Sequence, residues 1–417
     1  MSKPPHTTAA LLALTGINLF NYLDRQVVAA VLTPLKRELG LSDSQLGSVY
    51  LAFMLGYFLT APLFGYLGDR LPRKGLVAAG VAVWSLGTAL SGWAPDLAML
   101  LLFRVLVGLG EASYGSISPA WIADLFTPAR RNLPISFFYM AIPVGSALGY
   151  LLGGAVAAHH GWRAAFWVAG LPGLLLAAAL LALREPPRGA SEASGPAAAA
   201  GGWRAYAGLR RQPDYLLVVA GYAAQTFALG AFSFWGPTFL QRAHGLSLER
   251  SSSLFGLWLV TTGLLATLAG GWLATRLQRR SPAGYARLLA VSALLTVPAA
   301  FAAFCLPGRG PAEAALVAAM FCIFLPAGPT NTLILETVPV PLRAGAMAAS
   351  IFAIHLFGDL GSAKMVGMLS DRLGDLRAAI LWILPAATVV CALCWAALAL
   401  RQARVSAPVP PAPPRPA

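Results

Sequence analysis

The chain has 417 residues, of which 58% are hydrophobic and 11% charged, against about 45–50% and about 25% in soluble domains. That apolar excess has no water-soluble core to fill. It defines a polytopic membrane protein and argues against a nucleic-acid binder, although the net charge is +14.

A bilayer core is crossed by about 20 mostly apolar residues in a helix. Such runs fall at roughly 10–34, 44–67, 76–93, 97–123, 132–157, 164–183, 215–240, 252–275, 288–306, 312–335, 345–369 and 378–400. The expected fold class is therefore all-α, with twelve transmembrane helices in two pseudo-symmetric six-helix bundles. The first bundle takes 1–183 and the second 215–400. Residues 184–214, rich in Pro, Ala, Gly and Ser, read as a cytoplasmic linker with a short amphipathic piece near Trp203–Leu209. The proline-rich stretch within 401–417 reads as a disordered cytoplasmic tail. With the N-terminus inside, nineteen Lys and Arg fall on the cytoplasmic side and eight on the other. That bias puts both termini in the cytoplasm. The first run has no small-residue cleavage site leading into a polar region, so no cleaved leader is expected. Cys305, Cys322, Cys391 and Cys394 all lie in apolar runs. Cys391-x-x-Cys394 has no second ligand cluster and reads as packing, so no metal and no cofactor are expected.

The two halves are tied together by a repeat. Gly65-Tyr66-Leu67-Gly68-Asp69-Arg70-Leu71-Pro72-Arg73-Lys74 recurs 206 residues later as Gly271-Trp272-Leu273-Ala274-Thr275-Arg276-Leu277-Gln278-Arg279-Arg280. A duplication of apolar segments is a transporter-like arrangement.

Charges within spans are costly and mark candidate sites. Asp24 and Arg25 lie in the first span, about 100° apart around the helix, so each needs a partner on another helix or in a wet cavity. In the fourth span Arg104 and Glu111 are seven residues apart and share a face, with Gly108 and Gly110 leaving room for a neighbour. A carboxylate whose arginine moves away gains a proton and one whose arginine returns releases it; a static ion-pair network is the other reading. His355 and Asp359, i and i+4 in the eleventh span, could bind substrate polar groups, tune coupling or be structural. Lys364 is expected to snorkel outward, and Glu336 to meet Arg343. Tyr222, Phe227, Phe232, Phe234 and Trp235 precede a Gly236-Pro237 hinge and suit either packing or an apolar cavity.

The paired loop signature resembles that of the major facilitator superfamily. Narrower blocks resemble its spinster branch: Asn21-Tyr22-x-Asp24-Arg25, Gly108-x-Gly110-Glu111-Ala112-Ser113-Tyr114, Thr226-Phe227 leading to Trp235-x-Pro237, and His355-Leu356-Phe357-Gly358-Asp359. The matches run from the first span to the eleventh. The resemblance implies the major facilitator fold and a secondary transporter. Eukaryotic members are similar in moving sphingosine-1-phosphate or lysophospholipids, and bacterial relatives are regarded as proton-linked. Carried onto this chain, proton coupling falls on Asp24, Arg25, Arg104 and Glu111. The cytoplasmic gate falls on Gly65, Asp69, Arg70, Arg73 and Arg276, with Thr275 in place of the second acid. The substrate cavity falls on Asn21, Tyr22, Tyr114, Phe227, Trp235, His355 and Asp359.

The expected function is alternating-access, proton-coupled transport of an amphipathic anionic lipid by a monomer in an inner (plasma) membrane. Its partners are membrane lipids, the amphipathic small-molecule substrate and protons, with no nucleic acid. A multidrug or small organic-anion transporter is the alternative, and an intramembrane enzyme or lipid receptor a remote one. His-Glu-x-x-His, Gly-x-Ser-x-Gly and a Walker loop are all absent from the sequence, so no enzyme is expected.

Overall fold

The structure, a computed structural model, describes residues 5–68, 70–127, 130, 132–187, 208–339 and 342–405. Among these the chain is helical and has no strand. In order come α1 (Pro5–Ala30), the short α2 (Leu32–Leu39), α3 (Asp43–Gly68), α4 (Arg73–Ser91), α5 (Leu97–Leu125), α6 (Asn132–His160) and α7 (Trp162–Ala182). After a single turn at Gly208–Arg211 follow α8 (Pro213–His244), α9 (Leu248–Gln278), α10 (Gly284–Cys305), α11 (Arg309–Phe324), α12 (Ala327–Glu336), α13 (Arg343–Ile354), α14 (Leu360–Leu373) and α15 (Leu376–Val405). Most of the 184–214 stretch, including 203–207 of the expected amphipathic piece, and the tail after Val405 lie outside the described residues, as does Asp69.

Leaving aside the short α2, these helices form twelve rods among the described residues. α11 and α12 make one rod, interrupted at Pro326, and α13 and α14 make another, joined by a π-helical turn at His355–Asp359. Eleven rods are long and apolar enough to cross a membrane. The exception is α1, whose mean hydropathy is pulled down by Asn18, Asn21, Asp24, Arg25 and Gln26. Its deficit is satisfied inside the protein, because Asn18, Asn21 and Asp24 are all buried. The helix expected to hinge at Gly236-Pro237 continues through to His244. Gly236 is needed there because a side chain would run into the Phe255 ring.

In the first half α1 packs on α6, and α5 on α3 and α4; in the second, α15 packs on α8 and α10. The halves meet along two seams, α3 with α14 and α6 with α9. At the first, the backbones touch: a Cβ on Gly47 would lie 2.6 Å from Lys364 Cα. At the second, Tyr150 stacks edge-on to Phe255, and its hydroxyl donates to Ser233 O on α8 at 2.6 Å.

With the start of α1 and the end of α15 at one end of the bundle, the described hydrogen bonds joining the halves gather towards the far end. Asp43, at the start of α3, is the centre of this clasp. Arg242 donates to both its oxygens at 2.6 and 2.8 Å, Lys36 at 2.5 Å and Ser370 Oγ at 2.6 Å. Asp371 of α14 accepts in return the backbone N–H groups of Asp43 and Ser44, both at 2.8 Å, capping α3 from the other half. Lys364 reaches across the seam to the start of α3, at the same far end. Its ammonium donates to Ser44 O, Ser44 Oγ and Ser48 Oγ at 2.9, 2.7 and 2.7 Å. Arg343 donates to Leu335 O rather than to Glu336. Beside the clasp, Glu38 of α2 accepts from the Trp162 indole at 2.6 Å, and that bond holds its carboxyl below the usual range.

Asp43→Ala removes the acceptor shared by Arg242, Lys36 and Ser370. The closed far end should lose about 2 kcal/mol, roughly thirtyfold in population, a low value because both cations are partly exposed. Spin labels at His160 and Leu373, in a background without the native cysteines, should show a longer-distance population in the variant. An unchanged distance distribution would remove Asp43 from the clasp.

Candidate functional site

The four intramembrane charges expected from the sequence converge. α1 lies against α5, and the 100° between Asp24 and Arg25 sends them to two different turns of that helix. Arg104 Nη1 meets Asp24 Oδ1 at 3.4 Å, and Arg25 Nε meets Glu111 Oε2 at 2.6 Å. Thr88 of α4 donates its hydroxyl to the other Asp24 oxygen. The side chains of Asp24, Arg104 and Glu111 are at most 2% exposed, whereas Arg25 is 21% exposed. The cluster is neutral as a whole, with two cations and two anions in alternate pairs. Its least buried member is the cation bonded to Glu111.

Aromatic rings close the cluster. The Arg25 guanidinium lies 4.8 Å from the Tyr22 ring centre and 5.2 Å from those of Phe53 and Tyr57. Arg104 is 5.4 Å from Phe53, so one ring serves both arginines. Three buried polar atoms, Asn21 Nδ2, Arg104 Nε and Glu111 Oε1, have no hydrogen-bond partner. They leave the cluster with donors and an acceptor to offer.

The second half presents His355 and Asp359 on the π-helical turn, with Nδ1 at 3.1 and 3.2 Å from the two carboxylate oxygens. Insertions of this kind recur at functional sites in helices. Tyr57 spans the gap: its ring is 5.2 Å from the Arg25 guanidinium and 6.4 Å, edge-on, from the His355 ring. Tyr57, Phe53 and Thr88 were not singled out from the sequence. Tyr50, Phe53 and Tyr57 follow helical spacing, a signal that also describes ordinary packing.

The expected cavity residues do not all gather here. Asn21, Tyr22, His355 and Asp359 face the cluster or its bridge. Tyr114 is buried in the first half, its hydroxyl donating to Leu14 O at 2.6 Å. Trp235 is fully buried, its indole donating to Ala363 O at 2.9 Å at the seam. In this conformation both are packing residues, because their polar atoms are taken by backbone carbonyls. Phe227 lies apart, in an apolar groove of about 730 Å3 between α8, α13, α14 and α15 that also takes in Phe357, Met365 and Trp382.

The expected gate residues also divide. Arg73 Nη1 pairs with Asp124 at 2.5 Å, and its backbone N–H donates to Glu185 at 3.0 Å. Arg70 stacks on Tyr66 at 3.5 Å and Arg276 on Trp272 at 5.5 Å, measured to the ring centres. Gly65 has open space beside it, and Asp69 lies outside the described residues. Among the described residues, no group of three His, Cys, Asp or Glu could hold a metal ion.

Paired charges buried between helices, within two halves that meet along helix seams, are the arrangement of a membrane transporter. Comparison with known proteins gives the family. The family model described as Major Facilitator Superfamily matches residues 14–363. "Protein spinster homolog 1" of Mus musculus is 38% identical over 398 residues, covering 88% of this chain and 74% of the relative. "Protein spinster homolog 3" of Danio rerio is 36% identical, covering 87% and 77%. A solved bacterial homologue of the human lysosomal transporter Spinster, inward-facing and unoccupied, superposes with a TM-score of 0.85 at 27% identity over 97% of this chain and 98% of that one. The same protein in its inward-facing, occupied form gives 0.83 at 26% identity over the same shares. A D-xylose–proton symporter, at 18% identity and a TM-score of 0.75 over 93% and 97%, shares the fold. The chain belongs to the major facilitator superfamily, in its spinster branch, and is a multi-pass membrane transporter.

Thr88→Val keeps the shape of the side chain but removes a bond to a buried carboxylate. It should cost about 2 kcal/mol and lower the Tm. Ser85→Ala, one helical turn away, removes a buried hydroxyl that has no partner and should leave the Tm nearly unchanged. Thermal unfolding of the two variants side by side in detergent tests this, and equal shifts would argue against the Thr88–Asp24 bond.

Proposed function

We propose that this transporter works by alternating access, coupled to protons, and carries an amphipathic anionic lipid such as a lysophospholipid or a sphingosine-1-phosphate-like molecule. The bundles at 1–183 and 215–400 rock against each other, with 184–214 as the linker. The clasp at Asp43 holds the far end shut, which leaves the end bearing the termini as the open one. The excess of Lys and Arg at that end supports placing it in the cytoplasm of a cell whose inner membrane holds the protein. The likeness to two inward-facing solved structures supports the same facing.

The observation that carries the coupling is the Arg25–Glu111 pair, a fully buried carboxylate held through one oxygen by the most accessible cation of the cluster. When Arg25 turns to an anionic head group, Glu111 loses its charge partner in a dry site and takes up a proton. When the substrate leaves, Arg25 returns and the proton is released. Substrate and proton thereby act on the same pair, and each biases the equilibrium only by its differential affinity for the two facings. Asp24 and Arg104 hold α1 in register. His355 and Asp359 offer polar contacts from the second half, with Tyr57 between. Gly65, Asp69, Arg70, Arg73 and Arg276 form the cytoplasmic gate.

Lysophospholipid flux into proteoliposomes under an imposed pH gradient, wild type beside Glu111→Gln, tests this reading. Gradient-dependent flux in the wild type and its loss in the variant are expected. A variant with unchanged pH dependence would overturn the coupling assignment. Gradient-driven movement of a dye or organic acid, with no lysolipid flux, would keep the mechanism and overturn the substrate.

A further inference from the structure

The repeat that first revealed the two halves carries, besides the gate arginines Arg70 and Arg276, an exposed aromatic residue four positions before each of them, which neither the gate nor the charge cluster uses. Tyr66 and Arg70 occupy the same register as Trp272 and Arg276. Both aromatic side chains and both arginines are exposed, and each guanidinium lies over its ring. On α3, Tyr66 is nine residues from Tyr57, about 180° around the helix, and so on the side opposite the bridge to His355. On α9, Trp272 is about 200° from Gly270, whose backbone meets Leu325 of the neighbouring rod. Both pairs therefore point away from the protein. Below each runs a stripe of exposed leucines, Leu59 and Leu63 on α3 and Leu265 and Leu268 on α9.

We propose that Tyr66–Arg70 and Trp272–Arg276 are twin binding sites for an anionic membrane phospholipid, one on each half, at the end bearing the termini. The leucine stripe takes acyl chains, and the ring sits at the level of the head groups, where amphipathic aromatics are favoured. Stacking on the ring occupies only the face of the guanidinium. At Arg70 one N–H, on Nη1, reaches Tyr66 O at 3.4 Å; the other N–H groups of each guanidinium are left to meet phosphate oxygens. The occupant is anionic because both sites carry a stacked cation, and a lipid because the apolar stripe continues into the span. The second site is the stronger one. Thr275 stands where the first site has the competing negative charge of Asp69, and of the matching basic pairs Arg279 and Arg280 are exposed whereas Arg73 is held by Asp124.

The test is lipid selection in mixed nanodiscs. The protein is reconstituted in equal phosphatidylglycerol and phosphatidylcholine, released, and its retained lipids are counted by native mass spectrometry. An arginine near an anionic surface contributes about 1 kcal/mol, a preference of about fivefold. Wild type should retain phosphatidylglycerol preferentially, Arg276→Gln should lose about fivefold, Arg70→Gln less, and the double variant most of the preference. Arg287→Gln, an exposed arginine at the same end of α10, is the control for general positive charge and should change the ratio little. Trp272→Leu keeps every charge and should also weaken selection, which tests the stack even where an arginine variant folds poorly. An unchanged ratio in the double variant, or an equal loss in Arg287→Gln, overturns the proposal. So does displacement by added inorganic phosphate, which would identify a bare phosphate site rather than a lipid one.

Discussion

Burying four charges between α1, α4 and α5 is the constraint on which the rest of this structure depends. Each ion costs several kcal/mol to take out of water, and recovers it only where geometry is close and the remaining lone pairs and protons find partners. The pairing of adjacent residues on α1 with residues seven apart on α5 brings the charges together in a single arrangement. Among the buried polar atoms of these four side chains it leaves only Arg104 Nε and Glu111 Oε1 without a partner. Sliding α1 by one residue would set Arg25 against Arg104. The polar face that makes α1 too hydrophilic to count as a membrane span by composition is thus the face that fixes its position. The glycines of α5 serve the same end, since Gly108 lets α3 bring Phe53 between the two arginines.

Against this rigid first half the second half is built differently. Its interior is apolar or weakly polar, and its ionisable pair, His355 and Asp359, is presented on a turn where the helix widens by one residue. Among the described residues Tyr57 is the one ring in contact with both Arg25 and His355, so a movement of α3 relative to α13 and α14 is felt at both. The far end couples to the same helices. Asp43 is at the start of α3 and Asp371 at the end of α14, and between them Gly47 and Gly367 bring the two backbones together. Backbone contact leaves no compressible side chains at that seam. The clasp is therefore either made or parted, and such a two-state contact turns a local change at Arg25 into a change of facing.

Much of this was legible in the sequence, for identifiable reasons. Spans follow from apolar run length, so every rod fell within a few residues of expectation, apart from breaks within rods. The break at Pro326 and the π-helical turn at His355 depend on tertiary packing, and no local pattern announces them. Asp24, Arg25, Arg104 and Glu111 stood out because a charge in an apolar run is rare. Their mutual pairing followed from helical spacing. Thr88, Phe53 and Tyr57 did not stand out, because hydroxyls and rings in spans are commonplace and only their neighbours give them a role. Tyr114 and Trp235 show the reverse error. A polar aromatic in a transporter helix suggests a cavity, yet both spend their one donor on a backbone carbonyl within the packed core.

What the repeat keeps and what it drops now separate two kinds of work. The aromatic and the arginine four residues on are kept in both halves, together with one exposed leucine beneath them (Leu59 and Leu265), as expected if both halves meet the same bilayer at the same depth. The acid at 69 is not kept at 275, and no counterpart of Asp24, Arg25 or Glu111 lies in the second half at the 206-residue spacing of the repeat. Positions 230, 231 and 317 hold Gly, Ala and Val. Contact with the membrane is a demand made on each half alone, so duplication preserves it. Coupling is a demand made on the difference between two facings, and a cluster present identically on both sides of the seam would stabilise both to the same degree. In the proposed mechanism, a charge cluster confined to one half, bridged by Tyr57 to an unlike partner in the other, lets proton and substrate favour one facing over the other.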